Sequence, residues 1–184
     1  MVWVIVIVVL IVLVALLLVG LYNRLVRARN RVDNAWAQVE VQLKRRWDLI
    51  PNLVETVKGY AAHERETFQA VTEARAAAQN AKGPAEAAQA EGILSQALGR
   101  LFAVAEAYPE LRATENFQQL QAALNETEDK VAVSRQVYND TVLTYHNAIQ
   151  TFPGSLFAGP FGFTPREFFE VEDAAQREAP KVTF

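Results

Sequence analysis

The 184-residue chain has no cysteine and only two histidines. Without cysteine there is no disulfide, no thiolate-bound metal and no lipid-modified cysteine anchor, and the composition suits a reducing compartment. His63 and His146 are far apart in the chain and cannot make a usual structural zinc site. His63-Glu64 opens like the helix of a zinc protease, but Thr67 occupies the position of the second histidine. The glycines are too scattered for a phosphate-cradling loop, and no Gly-x-Ser-x-Gly elbow occurs. Glu64, Glu66, Glu126, Glu128 and Asp129 are expected on solvated helix faces. No catalytic residue, cofactor or metal site is expected, and the chain reads as non-enzymatic.

Charge is missing from one long stretch. Val2 to Tyr22 contains no charged side chain, and a helix of about twenty residues covers roughly the 30 Å hydrocarbon core of a bilayer. A cleaved secretory signal would need a basic start and a small-residue cleavage site, and only Met1 precedes this run. A buried soluble helix would keep a polar stripe, whereas this one is apolar all round. Residues 1–22 are therefore expected to span a membrane once.

Positive charge follows at once in Arg24, Arg27, Arg29 and Arg31. From Arg24 to Arg46 there are seven basic residues against Asp33 and Glu40, and residues 47–184 carry a net −8. The positive-inside rule then puts the amino terminus outside and the body in the cytoplasm. The collar has two uses consistent with its position: setting topology, or contacting anionic headgroups. An acidic body argues against nucleic acid as a partner.

The body reads as all-α. Val32, Trp36, Val39, Leu43 and Ile50 form one helical stripe with no glycine from Leu21 to Lys58, so the span is expected to continue into the body. Asp48 and Pro51 suggest a helix restart, or else a kink in one long helix. A second helix is expected to end near Lys82-Gly83-Pro84, and a third to run from Ala85 to Tyr108 before Pro109. From Ala113 to Phe152, Phe117, Leu124, Val131, Tyr138, Tyr145 and Phe152 recur every seven residues, the period of coiled-coil seams. Gln121, Glu128, Arg135, Val142 and Ile149 form a companion seam, polar first and apolar later. An elongated antiparallel helical bundle over residues 23–153 is the simplest arrangement. Glu128 and Arg135 are either buried against Arg45, Arg46 or Asp48, which the reading favours slightly, or solvent-facing.

Residues 154–184 change character. Glycines and prolines alternate with Phe157, Phe161, Phe163, Phe168 and Phe169, too much aromatic surface for a linker in water. Docking on the bundle, insertion at a membrane interface and docking on a neighbouring subunit all fit.

Several blocks now resemble one family. Tyr22-Asn23-Arg24-Leu25-Val26, Ala35-Trp36-Ala37-Gln38-Val39-Glu40-Val41-Gln42-Leu43-Lys44-Arg45-Arg46 and Asp48-Leu49-Ile50-Pro51-Asn52-Leu53-Val54 closely resemble the LemA family. Val57-Lys58-Gly59-Tyr60, Tyr108-Pro109-Glu110-Leu111, Glu126-Thr127-Glu128-Asp129-Lys130, Tyr138-Asn139, Phe152-Pro153, Gly162-Phe163 and Phe169-Glu170 fit the same pattern. Trp47 and His146 depart from it and are not read as functional. The resemblance implies a single-span protein of the bacterial inner membrane with a helical cytoplasmic body and no defined catalytic residues. Some relatives, including a magnetosome protein, are associated with membrane organisation or vesicle formation.

The leading expectation is a membrane-anchored scaffold that self-associates as a homo-oligomer and orders or bends the bilayer. Contacts within the bundle or with a partner are expected from Trp36, Arg45, Arg46, Asp48, Glu128, Arg135, Tyr138 and Tyr145. The alternative is an adaptor that binds a membrane protease or signalling protein through the Asp48 to Glu64 region.

Overall fold

A computed structural model describes residues 1–170. Its elements are helices: α1 (Val2–Lys58), α2 (Arg65–Asn80), α3 (Gly83–Glu106), α4 (Pro109–Arg112), α5 (Glu115–Gln150) and α6 (Gly154–Phe157). No strand occurs among the described residues, so the all-α expectation holds.

Helix α1 runs 57 residues through the apolar segment, the arginine collar and the stripe from Val32 to Ile50 without a break. The restart read at Asp48–Pro51 does not occur, because Pro51 lies inside the helix. Proline has no amide to donate to the carbonyl four residues back, here that of Trp47. Arg75 supplies the missing donor: its Nε bonds the Trp47 carbonyl at 2.7 Å. The real end comes at Lys58, where Tyr60 and Ala61 amides fold back onto the Val57 carbonyl.

The described residues divide into two compact units, Met1–Ala37 with Val137–Arg166, and Gln38–Gln136 with residues 167–170. In the second unit α2 packs on α3. Phe68, Val71, Ala74 and Ala78 of α2 and Leu94, Ala97, Leu98, Leu101 and Ala105 of α3 are buried with Ile50, Leu53 and Val57 of α1 and Phe117 and Leu124 of α5. Alanines on these faces let helix backbones approach closely, while each fully buried leucine contributes roughly 2 kcal/mol of transfer free energy. Gly83 sits at φ +81, a left-handed conformation that glycine adopts without strain, immediately before Pro84. The Glu86 carboxylate then accepts the Lys82 amide at 2.8 Å, closing the start of α3. Gly92 and Gly99 leave α3 intact.

In the first unit, Leu25 and Val32 of α1 and Tyr138, Val142, Tyr145 and Ile149 of α5 are buried. Trp36 meets Tyr138 at 5.3 Å between ring centroids. The apolar window of α1 is almost entirely unburied, with side chains facing outward all around. It is long and apolar enough to cross a membrane and is not a core helix of this fold. After α5 the chain turns sharply at Gly154. A β-carbon there would lie 2.0 Å from the Ala148 carbonyl oxygen, so only glycine fits.

Candidate membrane-proximal site

The collar begins two residues after Tyr22, on the same uninterrupted helix as the apolar run. Helical geometry divides its four arginines. Arg24, Arg27 and Arg31 step by three and four and share a face, while Arg29 points elsewhere. The Arg29 guanidinium lies over the Phe163 ring, 5.4 Å from its centroid, a cation–π contact. The other three line an open cleft of about 460 Å³ with Thr144, Asn147 and Thr151 of α5. None of the three has a carboxylate within ion-pair distance among the described residues.

Residues 154–166 of the tail dock on this unit in cis, while its last part, 171–184, lies outside the described residues. Phe161 and Phe163 pack edge-on against Tyr22 at 5.4 and 5.8 Å, and Phe157 stacks on Phe161 at 6.2 Å. Gly162, at φ +72, lets the Phe163 amide return to the Ala158 carbonyl. Tyr145 donates its hydroxyl to the Thr164 carbonyl at 2.9 Å, and burial pushes its pKa up. The Arg166 amide donates to His146 Nε2 at 3.0 Å, and its guanidinium pairs with Asp33 at 3.0 Å. His146 thus fastens the tail. Phe163 is buried here and Phe169 in the second unit; Phe157 and Phe168 are half-buried, and Phe161 is exposed. Phe152, read as the last seam residue, is 80% exposed because α5 ends at Gln150. Leu156 is exposed too.

The second unit carries a different polar site. Arg46 is buried and holds Glu91 at 2.8 Å, Ser95 at 2.9 Å and Glu128 at 3.2 Å. The Trp47 indole donates to the other Glu91 oxygen at 2.6 Å. Both partners of the Arg46–Glu91 pair are about 95% removed from solvent, whereas the Glu128 side chain is 62% exposed. The buried placement of Glu128 is thereby corrected: α5 turns Thr127 inward, its hydroxyl bonding the Ala123 carbonyl at 2.7 Å, and leaves Glu128 at the rim. Burial raises the Glu91 pKa, with Arg46 and the Trp47 hydrogen bond pulling the other way. Arg46 Nε and Gln42 Oε1, one turn apart, have no hydrogen-bond partner among the described residues.

Arg45 lies at the surface 4.0 Å from Glu126, and Asp48 pairs with Lys44 at 2.7 Å. Lys130 donates to Glu126 and, with the charges of Lys130 and Arg45, lowers its pKa. Arg135 is half-buried. Sequence reasoning missed Glu91, Arg75 and Gly154. Glu91 had a signal: it falls with Ala87, Leu94 and Leu98 on the apolar stripe of α3, a position that demands a partner. No group of three His, Cys, Asp or Glu residues able to hold a metal occurs among the described residues.

Comparison with known proteins gives a consistent result. The profile of the LemA family matches residues 35–184. Magnetosome protein MamQ 2 of Paramagnetospirillum magneticum is 28% identical over 188 aligned positions, covering 88% of this chain and 68% of the relative. Magnetosome protein MamQ of Magnetospirillum gryphiswaldense is 27% identical with the same coverage. Protein LemA of Metamycoplasma hominis is 27% identical over 138 positions, 73% of this chain and 62% of its own length.

Proposed function

Because the chain belongs to the LemA family, we propose that it is a single-span, non-enzymatic membrane scaffold that self-assembles through its helical body and organises or remodels the bilayer. The observation that carries this reading is the apolar stretch of α1, exposed on all sides and followed within two residues by arginines with no carboxylate partner among the described residues. Bilayer is the solvent that suits the first part, and anionic headgroups suit the second. Phe152, Leu156 and Phe161 add exposed apolar surface in the same unit, and Phe161 touches Tyr22 at the end of the run. Aromatic side chains favour that interfacial depth.

For self-assembly the support is surface chemistry. Val41, Ile93 and Val133 are each more than half exposed in the second unit, available to another copy. The similarity to proteins named for the magnetosome agrees with a role at a membrane-bounded structure. In this reading the protein sits in the bacterial inner membrane with its amino terminus outside and its body in the cytoplasm. The full chain in anionic vesicles, imaged by electron cryomicroscopy, is expected to form repeating assemblies that alter vesicle shape. Randomly dispersed monomers on unchanged vesicles would overturn it. Orientation is checked on a cysteine-free background: Ala62→Cys should react with an impermeant maleimide only after cells are opened.

The adaptor reading rests on the end of α1, where Tyr60 and the Asn52, Glu55 and Lys58 side chains are exposed. Crosslinking from Tyr60 that captures a different membrane protein rather than another copy would favour it.

A further inference from the structure

The cleft between the collar and α5 is lined by three arginines on one side and by Thr144, Asn147 and Thr151 on the other. We propose that it is a binding site for one anionic phospholipid headgroup carrying free hydroxyls, a phosphodiester of the glycerol type. The inference rests on the membrane-anchored reading and deepens it, from a diffuse positive collar to a built site.

Depth comes first. The apolar run ends at Tyr22, and Arg24 to Arg31 extends about 10 Å along the helix at 1.5 Å per residue. Headgroups add roughly 5–8 Å on each side of the hydrocarbon core, so Arg24 and Arg27 start within that layer and the long Arg31 side chain, rooted just beyond it, can reach back toward it. Charge comes next. Arg24 and Arg27 are three apart, Arg27 and Arg31 four apart, so three like charges crowd one helix face. Such pairs destabilise a helix unless an anion lies among them, and none of the described carboxylates does. Guanidinium groups match a phosphate's oxygens in geometry and charge.

The opposite wall selects the rest of the ligand. Thr144 and Thr151 already spend their hydroxyl protons on the Asp140 and Asn147 carbonyls, at 2.8 and 2.6 Å. Their oxygens therefore face the cleft as acceptors. Acceptors beside a phosphate site suit a ligand that brings hydroxyl donors, and the Asn147 amide can both donate and accept. The cleft volume of about 460 Å³ is ample for a glycerol phosphate group. A choline headgroup brings neither hydroxyls nor net negative charge.

The test is native mass spectrometry of the full-length chain in detergent, titrated with phosphatidylglycerol, phosphatidylserine or phosphatidylcholine. One phosphatidylglycerol should be retained in preference to the other two. Thr144→Val with Asn147→Leu keeps every collar charge, and should weaken phosphatidylglycerol about five-fold, the loss of one or two hydrogen bonds, with little change for phosphatidylserine. Arg27→Gln with Arg31→Gln should weaken both anionic lipids. Equal retention of both anionic lipids, unmoved by the Thr144/Asn147 variant, would overturn the built site and leave only a charged collar. Glycerol 3-phosphate identifies the source: displacement only at large excess supports a lipid, whereas saturable binding at least as tight as phosphatidylglycerol overturns the lipid assignment. Vesicle assembly is read separately. Lost lipid selectivity with intact assembly defeats this inference alone, and selective lipid binding without assembly defeats the scaffold alone.

Discussion

The two units place their arginines in opposite circumstances. In the second, Arg46 is enclosed and its three side-chain hydrogen bonds reach Glu91 and Ser95 of α3 and Glu128 of α5, leaving the charge with named partners. In the first, Arg24, Arg27 and Arg31 stand at an open cleft with no carboxylate partner among the described residues, and Phe152, Leu156 and Phe161 of the same unit are exposed. An enclosed, partnered charge fixes how helices register, whereas exposed, unpartnered charge and apolar surface are available to something else. The second unit therefore reads as a body held by its own contacts, and the first as the part that meets its surroundings.

The largest way to break that contrast is to strand the enclosed charge. Arg46→Met leaves Glu91 buried opposite a thioether, and losing one member of a buried pair costs about 3–5 kcal/mol. Urea unfolding of the full chain in detergent should show the midpoint fall accordingly, most severely at neutral pH. Arg45→Met, at the surface 4.0 Å from Glu126, should change it by less than about 0.5 kcal/mol. If the two variants matched, the enclosed cluster would not be what holds the second unit.

The first unit has its own rigid point. Gly154→Ala would drive a β-carbon into the Ala148 carbonyl at 2.0 Å, and that oxygen belongs to the last turns of α5. The expected cost is about 3 kcal/mol, the upper end for overpacking. Hydrogen exchange should quicken across residues 155–166, where the tail hangs from Tyr145, His146 and Asp33. Gly159→Ala is the control, since nothing lies within 4 Å of its added carbon. Equal exchange in both would mean the turn is not what seats the tail.

A smaller effect tests how a proline survives inside α1. Arg75→Met strips the Trp47 carbonyl of its donor and should cost about 1–2 kcal/mol. Pro51→Ala restores a backbone amide that can reach the same carbonyl. On that background the Arg75 change should cost about 1 kcal/mol less, a coupling that a double-mutant cycle resolves. Additive effects would remove Arg75 from this role.

What the sequence revealed and hid follows the range of the interactions. The stripe through Val32, Val39, Leu43 and Ile50 was legible because helical period and burial agree residue by residue. Pro51 was misleading because the usual rule for proline is local, and the compensating Arg75 lies on another helix. The seven-residue pattern carried correctly from Phe117 to Tyr145, all buried, and failed at Phe152, two residues past the end of α5. Arg24, Arg27, Arg29 and Arg31 were visible as a collar, but the sorting of Arg29 onto Phe163 depends on where a glycine-rich tail lands. Glu91 sat in view on an apolar stripe, and reading it as a demand for a cation would have reached Arg46, itself on the stripe of Val39, Leu43 and Ile50.

The smallest expected effect concerns the sign of that pair's dependence on pH. Burial raises the Glu91 pKa above its ordinary value even with Arg46 and Trp47 opposing. Below the unfolded-chain value, about 4.3 for glutamate, both states are protonated and the group contributes no pH dependence. As pH climbs past it, the unfolded chain releases its proton first, so folding stability falls until the folded carboxyl ionises as well. An ordinary surface-paired carboxylate behaves oppositely, weakening the fold as pH drops. Glu91→Gln mimics the neutral acid and keeps an acceptor for Arg46, which also retains Ser95 and Glu128. Its cost at pH 4 should be within about 1 kcal/mol, the scale of one hydrogen bond, and the unsubstituted chain should lose ground to it steadily as pH rises toward 7. If the unsubstituted chain instead gains on the variant with rising pH, the attraction of Arg46 exceeds the cost of burial, and the cluster is a source of stability rather than of register alone.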